Sequence, residues 1–271
     1  MRRFSLAHLT VLDQAPPAVI ETAHKAGYAC AGLRLLPAAP GGLAYDLMTN
    51  TTLRNETAAR LTDTGVELFD LEIVRLGADF ALDHVLAFLD VGALLGARAV
   101  LVAGDDPDPA RLADNYAAFC EAAAARRLSA DIEFMPWTEV PDIAAARRLV
   151  AAAGTPANAG ILVDALHYAR SPGGPEAVAA LPRTLLHYAQ ICDAPAAIPP
   201  TREGLIHDAR QERLLPGEGG IDLASMLAAL PPDLPLSVEI PLPPGRDVAA
   251  AVAWARTAIE ETRRFLAAQR S

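Results

Sequence analysis

Four oxygen-bearing side chains end four short apolar runs in the second half of the chain: Glu133, Asp164, Gln190 and Glu239. Each run has the composition of a buried strand. A buried carboxylate needs a partner, and three carboxylates with an amide offer the hard oxygen ligands of one divalent cation. The set contains no histidine or cysteine, which argues against structural zinc. Each residue alone is equally explained as a helix N-cap, but together they predict a metal site.

A histidine stands close to this predicted site. His167 follows Asp164 by three residues, and a turn there would place both side chains over one pocket. An imidazole near the reacting atoms suits a proton shuttle or a hydrogen-bond partner of the substrate. The alternative is a histidine that caps the next helix or lies exposed.

The elements that must position these residues alternate along the chain. Strands alternating with amphipathic helices indicate parallel β-α-β units, and about eight units in about 250 residues is the size of a (β/α)8 TIM barrel. We therefore expect one barrel domain over 1–271, with the strand ends converging on its axis. A doubly wound sheet is the alternative, but the first strand is not followed by a glycine-rich fingerprint. The predicted strands are 3–9, 29–35, 66–73, 98–103, 130–134, 159–164, 185–191 and 235–240, and the predicted helices are 15–27, 51–64, 79–96, 107–127, 139–153, 174–181, 221–230 and 247–268.

Two long loops follow predicted strands, at about 36–50 and about 193–220. In a barrel both loops would lie on the face where the strands end, and long loops on that face usually carry function.

Composition excludes several classes of protein. Of 271 residues, 52% are hydrophobic, enough for a globular core, and the net charge of −10 argues against a nucleic-acid partner. The three cysteines, an odd number without CxxC spacing, fit a reducing cytoplasm better than a disulfide scaffold. We see neither a signal peptide nor an apolar run long enough to span a membrane. The single lysine, Lys25, lies in a predicted helix, which argues against Schiff-base chemistry.

Five segments together resemble the xylose isomerase-like TIM-barrel superfamily. The superfamily includes sugar phosphate isomerases and epimerases, inosose dehydratase, 3-dehydroshikimate dehydratase and endonuclease IV. The resemblance covers most of the chain and is strongest in its C-terminal half. The segments are Ile132-Glu133-Phe134, Val163-Asp164-Ala165-Leu166-His167, Ala189-Gln190-Ile191-Cys192-Asp193, Arg213-Leu214-Leu215-Pro216-Gly217-Glu218-Gly219 and Val238-Glu239-Ile240.

The resemblance implies one divalent ion, Mn²⁺ or Mg²⁺ before Co²⁺ or Zn²⁺. Its implied ligands are Glu133, Asp164, Gln190 and Glu239. In the epimerases the third ligand is usually histidine, so Gln190 resembles the dehydratase branch, in which a following Asp-Ala-Pro also recurs.

The substrate side of the pocket resembles the family less. Arg213 is the best candidate for holding an anionic or polyhydroxy substrate, because a guanidinium suits carboxylate and phosphate groups. Four further candidates for substrate binding are Arg34, Glu72, Trp137 and His8. For each of the four, a structural role is an equal alternative.

The predicted reaction is proton abstraction next to a carbonyl. Glu133 and Glu239, on different strands, would serve as base and acid, with His167 as the alternative proton donor. The substrate would be a small polyhydroxy carbonyl compound, a keto-sugar or keto-cyclitol, and the outcome epimerisation or isomerisation. A dehydratase is the alternative, a non-catalytic sugar-binding barrel is less expected, and an endonuclease is disfavoured by the acidic charge. The expected assembly is a homodimer or homotetramer.

Overall fold

Eight parallel strands close into a barrel in the computed structural model, which describes residues 2–243, 245 and 247–269. Neighbours in the barrel follow chain order, and β8 pairs in parallel with β1 to close it. This confirms the (β/α)8 barrel. The strands are β1 Phe4–Leu6, β2 Cys30–Arg34, β3 Glu67–Gly77, β4 Ala99–Asp105, β5 Ser129–Glu133, β6 Ala159–Asp164, β7 Ala189–Ile191 and β8 Leu236–Val238.

Helices connect successive strands and surround the barrel. Most begin at a residue whose side chain accepts a backbone N–H of the first turn, as a good N-cap does; five of these caps are aspartates, including Asp108 and Asp142. The helices are α1 Pro16–Ala26, α2 Thr51–Thr64, α3 Leu86–Leu95, α4 Pro109–Ala124, α5 Ile143–Ala152, α6 Ala165–Ala169, α7 Gly174–Ala179, α8 Arg202–Gln211, α9 Leu223–Ala229 and α10 Val248–Ala268.

Two apolar regions hold these layers together. The large one lies between the strands and the helices and contains fully buried side chains such as Leu68, Leu71 and Phe119. A smaller one, which includes Leu101, Leu162 and Tyr188, forms a separate cluster. Alternate residues of a strand point to opposite sides, which is why β2, β3, β4 and β6 contribute to both regions. The strand ends are thereby fixed on a rigid scaffold.

The structure corrects several predicted boundaries. The segment 193–220 is not one long loop, because it contains α8; its many polar residues and prolines concealed this helix. The predicted helix 79–96 is a short 3₁₀ turn followed by α3, and the predicted strand 185–191 has only three paired residues. β3 extends to Gly77, past the predicted end, whereas residues 36–50 form a loop as expected.

The described part of the chain contains no helix long and apolar enough to cross a membrane. The three cysteines, all of them described, are buried and unpaired.

Candidate metal and substrate site

The strand ends of the second half of the barrel bring the predicted ligands to one side of the fold. Glu133 and Asp164 are the last residues of β5 and β6, Gln190 is the middle residue of β7, and Glu239 directly follows β8. All four are at most 4% exposed. Polar groups buried this deeply need partners, so the contacts of each decide what the site can do.

Three of the side chains at this end of the barrel form a group that could hold a metal ion. The ligand atoms of Glu133, Asp164 and His167 lie within 4.8 Å of one another. The His167 Nε2 lies 3.8 Å from Oε1 of Glu133 and 3.9 Å from Oδ1 of Asp164. Asp164 also caps α6 by accepting the backbone N–H of His167 at 2.9 Å. The N-cap and the site thus share one residue, and the cap fixes where His167 lies.

Arg213 lies between two of the carboxylates. Its Nη1 donates to Oδ2 of Asp164 at 2.7 Å, and its Nη2 lies 2.9 Å from Oε2 of Glu239. Its Nε donates to the carbonyl of Ala209 at 2.8 Å, and Nη1 also contacts the sulfur of Cys192 at 3.2 Å. The guanidinium engages one oxygen of each carboxylate. It therefore holds Asp164 and Glu239 in place rather than standing free in the pocket.

A tight loop after Arg213 is fastened to the end of β7. Both carboxylate oxygens of Asp193 accept backbone N–H groups from this loop, two of them from Gly217 and Gly219 at 2.9 and 3.0 Å. Gly217 has φ +95, and a Cβ on Gly219 would approach Asp193 to 2.4 Å. Both positions therefore require glycine. The P-G-x-G pattern is thus the physical reason that Arg213 is fixed beside the strand ends.

The chemistry of the site fits a divalent cation. Within the described residues, both amide atoms of Gln190 are buried without a hydrogen-bond partner. Four of the buried carboxylates at this end of the barrel lie with two of the buried guanidinium groups, which leaves two negative charges among these six groups uncompensated when all are ionised. The carboxylates are Glu72, Glu133, Asp164 and Glu239, and the guanidinium groups are Arg34 and Arg213. An orphaned amide oxygen beside surplus negative charge suits a hard cation such as Mg²⁺ or Mn²⁺.

The pKa values reflect the same crowding of buried negative charge. Burial, reinforced by the charges of Asp164 and Glu239, raises the pKa of Glu133 well above its usual range. Burial also raises the pKa of Glu239 to about 7, although Arg213 opposes the shift. For Asp164 burial is outweighed by Arg213 and His167, so its pKa is lowered. Burial lowers the pKa of His167 to about 4, which keeps its imidazole neutral near pH 7.

The first half of the barrel places three of the substrate candidates in an internal network. Arg34 donates through Nε and Nη2 to one oxygen of Glu72, at 2.9 and 2.6 Å. The backbone N–H of Arg34 donates to Nδ1 of His8, whose Nε2 lies 2.9 Å from the carbonyl of Gln14. The ring of His8 also stacks on Tyr45. Both nitrogens of His8 are therefore engaged by the protein.

A cavity of about 370 Å³ opens above the strand ends. Glu133, His167 and Glu239 line it, and so do Arg34, Arg213 and Trp137, whose ring meets His167 edge-on at 5.0 Å. Asp164, Gln190, Glu72 and His8 are buried behind this lining.

Two further arginines line the cavity, Arg75 and Arg210. Arg75 lies in the part of β3 beyond the predicted end of that strand, and no signal in the sequence singled out Arg210. It became a candidate only once α8 was found in what was expected to be a loop.

Comparison with known proteins agrees with this fold. The family model for xylose isomerase-like TIM barrels matches residues 20–266. No curated protein matches the chain in sequence. Among solved structures, a xylose isomerase-like TIM barrel/4-hydroxyphenylpyruvate dioxygenase fusion protein is similar with TM-score 0.80 and 22% identity, over 96% of this chain and 42% of that one. The chain thus spans less than half of that fusion protein.

Two other solved structures are similar along nearly their whole length. The IOLI protein, solved with a bound zinc atom, gives TM-score 0.77 and 16% identity over 97% of this chain and 99% of that one. D-allulose 3-epimerase from Methylomonas sp. gives TM-score 0.70 and 18% identity over 97% and 98%. Identities this low establish the fold and not the reaction. Together with the family match, they show that the chain belongs to the xylose isomerase-like TIM-barrel family.

Proposed function

We propose that the protein is a divalent-metal-dependent isomerase or epimerase that moves a proton next to the carbonyl of a small hydroxylated substrate. The observation that carries this proposal is the convergence of Glu133, Glu239 and His167 on one cavity, above the buried Asp164 and Gln190. The epimerase and the zinc-containing protein among the similar structures support it by analogy of fold.

Glu133, Asp164, Gln190 and Glu239 would hold the metal, with His167 as a further candidate ligand. When bound, a divalent ion supplies Lewis acidity to a carbonyl oxygen. Mn²⁺ and Mg²⁺ suit the oxygen set best, and Co²⁺ or Zn²⁺ would also be accepted if His167 joined it. Arg213 would keep Asp164 and Glu239 oriented by engaging one oxygen of each.

Proton transfer would fall to the carboxylates that line the cavity. Glu239 lines the cavity and suits a general base or acid; burial raises its pKa to about 7 in the metal-free protein, and a bound cation would lower it again. Glu133 comes from β5 and Glu239 from the end of β8, so they reach the cavity from separate strands. Returning the proton to the same carbon would epimerise it, and returning it to the neighbouring carbon would isomerise the substrate. The neutral imidazole of His167 would donate a hydrogen bond to the substrate.

A metal-dependent dehydratase is the second candidate. Gln190 favours it, since the resemblance associates an amide at this position with the dehydratase branch. In that reaction the proton removed next to the carbonyl would be followed by loss of a β-hydroxyl group. The first step is common to both candidates, and for both we place the enzyme in the cytoplasm.

Solvent exchange tests the shared step. The protein, loaded with Mn²⁺ in D₂O, is incubated with a panel of keto-sugars, inososes and dehydroshikimate. We expect deuterium at the carbon next to the carbonyl of at least one compound, and loss of that label in Glu239→Gln. If no compound in the panel gained deuterium, while the panel still bound, the barrel would be a binding protein.

A further inference from the structure

The four arginines that line the cavity differ in how far the protein already neutralises them. Arg213 is held by Asp164 and Glu239, and Arg34 is held by Glu72. Neither guanidinium is free to take a substrate charge without giving up a buried partner. Breaking such a buried pair is strongly unfavourable, so these two arginines stabilise the buried carboxylates at the base of the cavity.

Arg210 is different. Within the described part of the chain its guanidinium has no hydrogen bond and no ion pair, although it lines the same cavity. Burial, followed by repulsion from Arg34 and Arg75, lowers the pKa of Arg210. Arg210 is an exposed residue, and a positive charge repelled by two neighbouring guanidinium groups is well placed to take up an anion.

The element that carries Arg210 is rigidly held. α8 ends at Gln211, one residue after Arg210, and a buried ion pair between Asp208 and Arg170 fixes it at 2.7 Å. Arg170 also donates to the carbonyl of Pro195 at 2.7 Å. The fold thus fixes the backbone that presents Arg210, so binding an anion would have to order only the side chain.

Arg75 presents a second guanidinium from the extended end of β3. Its Nη1 pairs with Asp105 at 2.8 Å and its Nη2 donates to the carbonyl of Ala38 at 3.0 Å. These bonds use two of the five N–H donors of a guanidinium and leave others for a ligand. Its side chain is 31% exposed. Asp13 is a further acidic residue that lines the cavity, and its carboxylate accepts the backbone N–H of Gly245.

Most of the other residues that line the cavity are apolar. They include Ile73, Leu101, Met135, Trp137 and Leu242. Such walls offer few partners to a chain of hydroxyl groups, so hydroxyls on the middle of a substrate would lose hydrogen bonds to water. They suit a hydrocarbon or ring surface instead.

We propose that Arg75 and Arg210 form an anion subsite, so that the substrate is a carbonyl compound bearing a carboxylate or a phosphate, joined to the reacting end by a body with few hydroxyl groups. This inference rests on the proposed function for the position of the reacting end. The charged group would lie between the two arginines while the carbonyl end faces Glu133, His167 and Glu239. Charge-assisted hydrogen bonds from two guanidinium groups would select the anion over its neutral isostere.

Binding of unreactive probes tests the subsite without relying on turnover. Calorimetry of the metal-loaded protein would compare cyclohexanecarboxylate and cyclohexyl phosphate with the neutral cyclohexanecarboxamide. We expect at least one anion to bind about tenfold more tightly than the amide, and Arg210→Gln or Arg75→Gln to remove that preference. The better of the two anions identifies the charged group as carboxylate or phosphate.

Arg202→Gln is the matched control, because Arg202 is an exposed arginine at the first position of the same helix and does not line the cavity. It should leave the preference unchanged. Equal binding of the amide and both anions would overturn the subsite, as would an equal loss of preference in Arg202→Gln. Failure of the proposed function would show separately, as an absence of solvent exchange in a protein that still prefers anions.

Discussion

The C-terminal strand ends of the first half of the barrel (β1–β4) and of the second half (β5–β8) differ in how far their buried charges are neutralised. In the first half, Arg34 and Glu72 neutralise each other and both nitrogens of His8 are engaged. In the second half, Glu133, Asp164 and Glu239 share a single guanidinium, that of Arg213. Surplus negative charge and the unpartnered amide of Gln190 therefore accumulate on one side of the barrel axis. Although Oε1 of Glu72 has no hydrogen-bond partner, the charges of the Arg34–Glu72 pair balance without a ligand, whereas the second half would need a cation to balance its charge.

This difference predicts where mutation would affect catalysis most. Glu133→Gln and Glu239→Gln keep the size of the side chain but remove the charge and the proton-transfer group. We expect each to lower the rate of solvent exchange by about 100-fold to 10,000-fold, the usual contribution of a general acid or base. Glu203→Gln, at an exposed position of α8, is the control and should exchange as wild type does. A wild-type rate in both site variants would remove them from the reaction.

Metal should restore the stability of a variant altered in the second half of the barrel, but not of one altered in the first half. Arg213→Met and Arg34→Met each leave buried carboxylate unpaired, so each should cost about 3–5 kcal/mol of unfolding free energy in metal-free protein. Because the carboxylates beside Arg213 also face the proposed metal, saturating Mn²⁺ should recover much of that loss in Arg213→Met. It should recover little in Arg34→Met. Urea unfolding with and without Mn²⁺ measures both, and equal recovery would contradict the contrast between the halves.

Gln190 gives a smaller effect on metal binding alone. Gln190→Ala removes the proposed neutral ligand without changing the charge of the site, so Mn²⁺ should bind about 10–100-fold more weakly. Gln269→Ala, at an exposed glutamine that directly follows α10 and does not line the cavity, should not change the affinity. Isothermal titration measures both variants. An unchanged affinity in Gln190→Ala would exclude Gln190 from the ligand set.

The pH dependence of the stability of metal-free protein should also show the crowding of negative charge. Burial raises the pKa of Glu239 to about 7, above the value of about 4.3 expected in the unfolded chain. A raised carboxyl pKa stabilises the fold below the unfolded value, and this stability is lost as pH rises through the folded one. Between these values, stability relative to Glu239→Gln should fall by up to about 1.4 kcal/mol per pH unit. Unfolding in chelator at several pH values checks this, and parallel curves for the two proteins would contradict it.

The sequence was most informative where the position of a site residue depends on a single strand. Glu133 and Asp164 end apolar runs, and a run that ends on a carboxylate predicts both the strand and the residue at its end. Arg213 was expected to hold the substrate, whereas the structure pairs it with Asp164 and Glu239. The pairing of Arg34 with Glu72 was not predicted, because a contact between neighbouring strands depends on register and not on local composition. Arg210 was missed because α8 is rich in polar and charged residues and follows a proline-rich segment, which together suggested a loop.

Direct measurement of metal stoichiometry tests the central claim. This claim is that the strand ends of the second half of the barrel form a single metal site. Chelator-treated protein is titrated with Mn²⁺ by calorimetry, alongside Glu239→Gln and the exposed control Glu203→Gln. We predict one Mn²⁺ per chain for wild type and for Glu203→Gln, with binding lost or greatly weakened in Glu239→Gln. No binding to wild type, or unchanged binding in Glu239→Gln, would contradict the account.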